Sequence, residues 1–193
     1  MNQKDIIAFF NQSASTWDAE MIRDDEIINT ILDNANIHSG KDILDVACGT
    51  GVLIPDYLAR NVKSITAIDI APEMIKIARG KFTQANLEFI CGNVETTEFQ
   101  KKFDCIVVYN AFPHFPEPKR LIKRLISLLK EGGTLTVAHG MSRAQIDAHH
   151  SGSASKVSLG LIHEDELAHM FEPELKIVTK ISDDHMYQVT GIL

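Results

Sequence analysis

Beyond Gly40, short apolar runs alternate with helically spaced ones. DILDVA (42–47), SITAIDI (64–70), LEFICG (87–92), FDCIVVYN (103–110) and TLTVAHG (134–140) read as strands. VLIPDYLAR and PEMIKIARGKF read as helices between them. PKRLIKRLISLLK places Leu121, Ile122, Leu125, Leu128 and Leu129 at helical spacing, with Gly132 and Gly133 as its stop. The runs CIVV and ITAI are apolar without alternation, as in strands buried on both faces. That predicts a parallel sheet with helices on both sides, doubly wound by right-handed crossovers.

Both ends of the chain differ from this pattern. KDIIAFF and WDAEMIRDDEIINTILDNA predict helices before Gly40, with a break at 11–16. Near the other end, HEDELAHMF reads as a short helix. LKIVTKIS and HMYQVTGIL read as strands joined at Asp183-Asp184. Two strands with no helix between them pair antiparallel, so a hairpin should extend one edge of the sheet. The length of 193 residues fits a single domain, with residues 1–40 as a helical lid and substrate segment and 41–193 as the core.

Composition narrows the function. Net charge is −7 and no basic tract occurs, which argues against a large nucleic-acid surface. No run reaches the ~20 apolar residues of a membrane span. MNQKDIIAFFNQ lacks the basic-then-apolar order of a secretory signal. Cys48, Cys91 and Cys105 are odd in number, form no CxxC and sit in or beside apolar runs, which suggests buried thiols in the reducing cytoplasm.

The candidate chemistry begins where the first strand runs into Ala47-Cys48-Gly49-Thr50-Gly51. In open α/β sheets ligands bind at the carboxyl ends of strands, where strand order reverses. Two glycines there let backbone approach a ligand, and Asp45 sets a carboxylate beside them. A dinucleotide fingerprint needs a third glycine, but that position is Ile54, so a nicotinamide oxidoreductase is disfavoured. An acid here suits a cationic amino-acid ligand instead. Asp69, ending the second strand, can accept hydrogen bonds from both hydroxyls of a ribose. Asn93, after the third strand, can bond an adenine edge.

In order and spacing, DILDVACGTGVL, AIDIAPEMIKIAR, FICGNVE and FDCIVVYNAF resemble class I S-adenosylmethionine-dependent methyltransferases. LLKEGGTLTVAH and AFFNQSASTWD resemble further segments of small-molecule members, the latter folding over the bound cofactor. The resemblance covers roughly residues 8–140. It implies a Rossmann-like, seven-stranded, mostly parallel sheet with an antiparallel last strand. It also implies that Asp45, Ala47, Cys48, Gly49 and Gly51 hold the methionine end and Asp69 the ribose. Ile70 and Met74 would lie near the adenine, Asn93 and Val94 would flank its edge, and Asn110 would lie by the sulfonium. Trp17 would close over the cofactor or anchor the N-terminal helix. Many members carry Asp at the position of Asn93, and both residues accept from the adenine amine.

YNAFPHFPEP (109–118) follows the fourth strand, where this fold places the methyl acceptor. Adenine-modifying DNA methyltransferases carry Asn-Pro-Pro-aromatic here, and NAFPHF lacks the adjacent prolines. Phe112, His114, Phe115 and His149 are therefore expected to line a small-molecule pocket. Methyl transfer needs alignment and removal of a proton, so His114 and His139 are candidate bases. His139, His149 and His150 fall close together in sequence and would form a zinc or iron site if they met, though a metal is not favoured. The expected activity is methyl transfer to a small molecule. The alternatives are a cofactor-binding regulator without turnover and a metal-assisted methyltransferase.

Overall fold

The computed structural model describes residues 2–150 and 157–193. Among these, seven strands form one sheet: β1 (Asp42–Val46), β2 (Ser64–Asp69), β3 (Leu87–Cys91), β4 (Phe103–Tyr109), β5 (Leu129–His139), β6 (Lys176–Ser182) and β7 (Tyr187–Ile192). Their order is β3-β2-β1-β4-β5-β7-β6. The first five pair in parallel, and β7 runs antiparallel to both β5 and β6. The expected hairpin therefore lies at one edge, with its second strand inserted next to β5. Strand order reverses between β1 and β4, which makes their carboxyl ends the ligand crevice of this fold.

The helices are α1 (Gln3–Ser13), α2 (Trp17–Glu20), α3 (Asp25–Asn34), α4 (Ile54–Ala59), α5 (Pro72–Lys81), α6 (Pro118–Ser127), α7 (Arg143–His150) and α8 (Glu164–Phe171). Each strand feeds two cores by its alternation. Leu44, Val46, Ile106 and Val108 pack with α6 and α8. Ile43, Cys105 and Val107 pack with α3 and α4 on the other face. This double burial explains why the central strands read as unbroken apolar runs.

The predicted boundaries shift in three places. The helical run 17–35 is two helices, because Met21 is extended and Asp24 caps α3 by accepting from the N–H groups of Glu26 and Ile27. The helix after Pro118 stops at Ser127, short of the diglycine, since Leu129 already pairs with Phe103 in the sheet. Gly132, at φ 72°, then falls within β5 rather than closing a helix. Cys91 is exposed at the end of edge strand β3, while Cys48 and Cys105 are buried as expected.

Helix α3 belongs to the packed layer rather than to a mobile cover. Buried Gln188 of β7 donates to the Ile31 carbonyl (3.0 Å) and to Thr190 Oγ1 (3.1 Å), and accepts from Asn34 Nδ2 (3.0 Å). Gln188→Ala strands these groups in a dry interface, at a cost of about 2–3 kcal/mol. The check is a drop in the urea midpoint with an unchanged m-value.

Candidate functional site

A cavity of about 280 Å³ opens at the carboxyl ends of β1, β2 and β4, under α1 and α2. Its floor is the turn leaving β1. Ala47, Gly49 and Gly51 all adopt left-handed backbone there, at φ 56°, 55° and 88°. The Cys48 N–H donates to the Ile68 carbonyl (3.1 Å), and the Gly51 N–H returns to the Cys48 carbonyl (2.9 Å). A Cβ at Gly49 would approach only the Trp17 indole nitrogen, at 3.9 Å, so this glycine bares backbone toward the cavity. A Cβ at Gly51 would meet the Phe82 ring at 2.9 Å and Ile54 at 3.1 Å. Gly51 thus serves packing beneath the turn and is not among the residues lining the cavity.

Asp69 ties this turn to the end of β2. Its Oδ2 accepts from the Gly49 N–H (2.9 Å) and its Oδ1 from the Ala71 N–H (2.8 Å). Burial raises its pKa, against the backbone donors of Ala71, Gly49 and Ile70 that favour the charged form. Asp45 sits one layer below. It shares the alternation of Ile43 and faces α4, so its carboxyl is fully buried rather than on the wall. Burial, then the charge of Asp69, raises its pKa to about 7; the nearby Tyr57 hydroxyl opposes this. Among the described residues, Asp45 Oδ2 and the Tyr57 hydroxyl nonetheless find no hydrogen-bond partner of ordinary geometry. The same buried acids, after burial itself, hold the Cys48 thiol protonated.

The other expected residues distribute clearly. Trp17, Ala47, Cys48 and Gly49 line the cavity with Asp69, Ile70 and Met74. Asn93, Val94, Asn110, His114 and Phe115 complete the far wall. Asn93 Oδ1 also accepts from the Glu95 N–H (2.9 Å), and its Nδ2 donates to Gln3 (3.3 Å). Asn110 is left-handed (φ 52°) and accepts from the Gly140 N–H (3.0 Å), locking the ends of β4 and β5 together. His114 Nδ1 lies 2.7 Å from the Val157 carbonyl. Two further expectations fall away from the wall. Phe112 is buried in the core with Leu121 and Leu125, because the short turn Phe112–His114 directs it inward. His139, the second candidate base, is 3% exposed and packs edge-on to its cross-strand partner Tyr187, not in the cavity. The side chains of His149 and His150 lie outside the described residues. Among the described residues no group of three or more His, Cys, Asp or Glu is arranged to hold a metal.

The cover was only partly legible. Ile6, Phe10 and Met21 join Trp17 on the wall, and Phe10 meets the Trp17 ring edge-on at 5.6 Å. Asp18 latches α2 down, accepting from Thr50 Oγ1 (2.5 Å) and Lys81 Nζ (2.7 Å). Arg23 fastens the next loop through both oxygens of Asp56 (2.8 and 2.9 Å) and the Val52 carbonyl (2.8 Å). The sequence signal was the amphipathic spacing of Ile6 and Phe10, which says that a face is buried but not against what.

A floor of open backbone and buried acid, with an orphaned Asp45 oxygen and apolar walls, suits a cationic, amino-acid-bearing nucleoside and not a pyrophosphate. Comparison with known proteins agrees. Residues 43–133 match the family described as a methyltransferase domain. A malonyl-[acyl-carrier protein] O-methyltransferase of Acetivibrio thermocellus is 36% identical over 70% of this chain and 49% of its own length. A ubiquinone biosynthesis O-methyltransferase of Coxiella burnetii is 30% identical over 68% of this chain and 60% of its own. The chain thus spans about half to three fifths of these curated relatives. Among solved structures, the N-methyltransferase NodS of Bradyrhizobium japonicum, in complex with S-adenosyl-L-homocysteine, superimposes with a TM-score of 0.75. It is 15% identical, over 100% of this chain and 98% of that one. The chain belongs to the class I S-adenosylmethionine-dependent methyltransferases.

Proposed function

We propose that the cavity binds S-adenosylmethionine and that the protein transfers its methyl group to a small-molecule acceptor. The observation that carries this reading is the pair of buried carboxylates, Asp45 and Asp69, beneath left-handed backbone at the switch point of the sheet. Asp69 keeps lone pairs for the ribose hydroxyls while its hydrogen bonds hold the turn in place. Ala47, Cys48 and Gly49 receive the methionine end, over the negative charge of Asp45. Ile70 and Met74 support the adenine, Asn93 and Val94 flank its edge, Asn110 lies by the sulfonium, and Trp17 closes the lid. When bound, the cofactor supplies a methyl group on a good leaving group.

What remains for the chain is to exclude water, orient the acceptor and take a proton. His114 is the base this reading favours, since it alone of the two expected histidines is on the wall. A net charge of −7 and the lack of a basic tract support a small acceptor over a nucleic acid. No helix among the described residues is long and apolar enough to cross a membrane.

Calorimetric titration with S-adenosylhomocysteine and, separately, with NAD tests the reading. Micromolar binding of the first and none of the second is expected. Tight NAD binding, or no binding of S-adenosylhomocysteine, would overturn it.

A further inference from the structure

Residues 3–20 are packed to move as a unit. Their apolar contacts form a small cluster of their own, with Phe10, Ala14 and Trp17 set against Ala71, Met74 and Ile77. None of these six side chains belongs to either of the two main cores. Helix α1 adds two polar contacts, Asn93 to Gln3 (3.3 Å) and the Glu73 N–H to Asn11 (3.1 Å). A segment held by so little buried apolar surface can open while the rest stays folded. Ile6, Phe10 and Trp17 line the cavity from this segment, so a bound ligand lies beneath it.

The hinge lies where the packing changes. Met21 is extended (φ −70°, ψ 126°) and Ile22 is exposed. From Arg23 onward the chain is pinned, first to Asp56 and the Val52 carbonyl and then into α3 by the Asp24 cap.

A single side chain fastens the free edge at two points. Asp18 Oδ1 accepts from Thr50 Oγ1 (2.5 Å), and Oδ2 accepts from Lys81 Nζ (2.7 Å). Thr50 is buried between Gly49 and Gly51, within the turn that forms the cavity floor. Lys81 ends α5, and the ring of the next residue, Phe82, packs against Gly51. Asp18 can make both bonds only when the cover is down and the turn and α5 hold this arrangement. The two bonds differ in kind. Asp18 and Lys81 are 44% and 34% exposed, so their attraction is open to screening by salt. The Thr50 bond is shielded at its inner end.

We infer that Asp18 is a positioning residue that clasps residues 3–20 over the cofactor turn. Breaking this clasp, with rotation at Met21–Ile22, sets the rate at which S-adenosylhomocysteine leaves. This rests on the cofactor reading above and names how that site opens.

The test follows tritiated S-adenosylhomocysteine as it leaves the full chain into an excess of unlabelled compound. Wild type should release it faster as salt rises from about 0.05 M to about 0.5 M. Lys81→Met should speed release by about 1.5–5-fold, the scale of an exposed ion pair, and abolish the salt dependence. Thr50→Val should speed it by about tenfold and keep the salt dependence, while Thr50→Ser should match wild type. Asp18→Ala should be at least as fast as Thr50→Val and insensitive to salt. Adding Lys81→Met to Asp18→Ala should change nothing more, because one clasp is already open. Lys81→Met alters an exposed side chain, so the test stands even if Thr50→Val fails to fold. Release from Asp18→Ala at the wild-type rate would overturn the inference. So would multiplying effects of Asp18→Ala and Lys81→Met, or Thr50→Ser as fast as Thr50→Val, which would place the effect in the turn alone. If S-adenosylhomocysteine fails to bind at all, the cofactor reading falls, a result distinct from binding with unaltered release.

Discussion

Asp45→Asn should make the unliganded protein more stable at pH 8 while weakening its hold on S-adenosylmethionine. The native carboxyl has a folded-state pKa of about 7 against 3.8 for an ordinary aspartate. Between these values the folded state binds more protons than the unfolded one, so stability falls as pH rises. The contribution is complete below about pH 4 and is lost as pH passes 7. Each unit is worth about 1.4 kcal/mol, so the loss across the window amounts to a few kcal/mol. Asparagine removes the titrating group, and the slope over pH 5–8 should flatten.

The opposite end of the same strand behaves in reverse. Burial would raise Asp42, but hydrogen bonds from Lys130, Ser64 and Lys63 outweigh it and hold the carboxyl far below the usual range. Its stabilisation is present above about pH 4 and disappears only in acid. Thermal midpoints at pH 3, 5 and 8 separate the two groups, since Asp45→Asn alters only the neutral limb. In the cofactor reading, a sulfonium and an ammonium offset the charge that Asp45 keeps underneath. Calorimetry should therefore show a larger loss for S-adenosylmethionine than for its neutral thioether product, by about tenfold. Equal losses for the two would mean that Asp45 shapes the turn and not its potential.

Much of the fold was legible because parallel strands buried on both faces leave an unmistakable run, as in Ile106, Val107 and Val108. The hairpin was legible because nothing helical separates its strands. The boundary of α6 was not, because Leu128 and Leu129 satisfy a helical stripe and a strand equally well. Only the pairing of Leu129 with Phe103, set by tertiary contact, decides between them. At the site, residues bared by backbone geometry were readable from type and spacing, as Gly49 and Asp69 show. Residues whose role depends on which way a strand faces were not. Asp45, Gly51, Phe112 and His139 all lie within a few residues of the cavity in sequence, yet alternation or a tight turn carries each into the packing. Met21 escaped notice for the converse reason, and Phe10 entered only within the AFFNQSASTWD segment and not as a residue of the wall, since spacing records burial without naming which side chain faces the cavity.

Asp69→Ala should have the larger effect on binding, because that side chain performs two tasks at once. One oxygen fixes the Gly49 N–H and the other the Ala71 N–H. Removing it strands both donors and frees a turn whose three left-handed residues are costly to hold in place. The ribose loses its acceptor as well. A hydrogen bond involving a charged group is worth about 1.5–3 kcal/mol, so the affinity for S-adenosylhomocysteine should fall at least 10–100-fold. Asp69→Asn separates the two tasks. Its amide oxygen retains one backbone contact while its nitrogen cannot accept, so the turn survives in part and the ribose interaction is weakened. Calorimetric affinities should therefore rank wild type above Asn and Asn above Ala, with urea midpoints in the same order but more closely spaced. If Asp69→Ala bound S-adenosylhomocysteine at full strength, the carboxylate would be a clasp for the Gly49 turn alone, and the ribose would have to find its acceptor elsewhere on the wall.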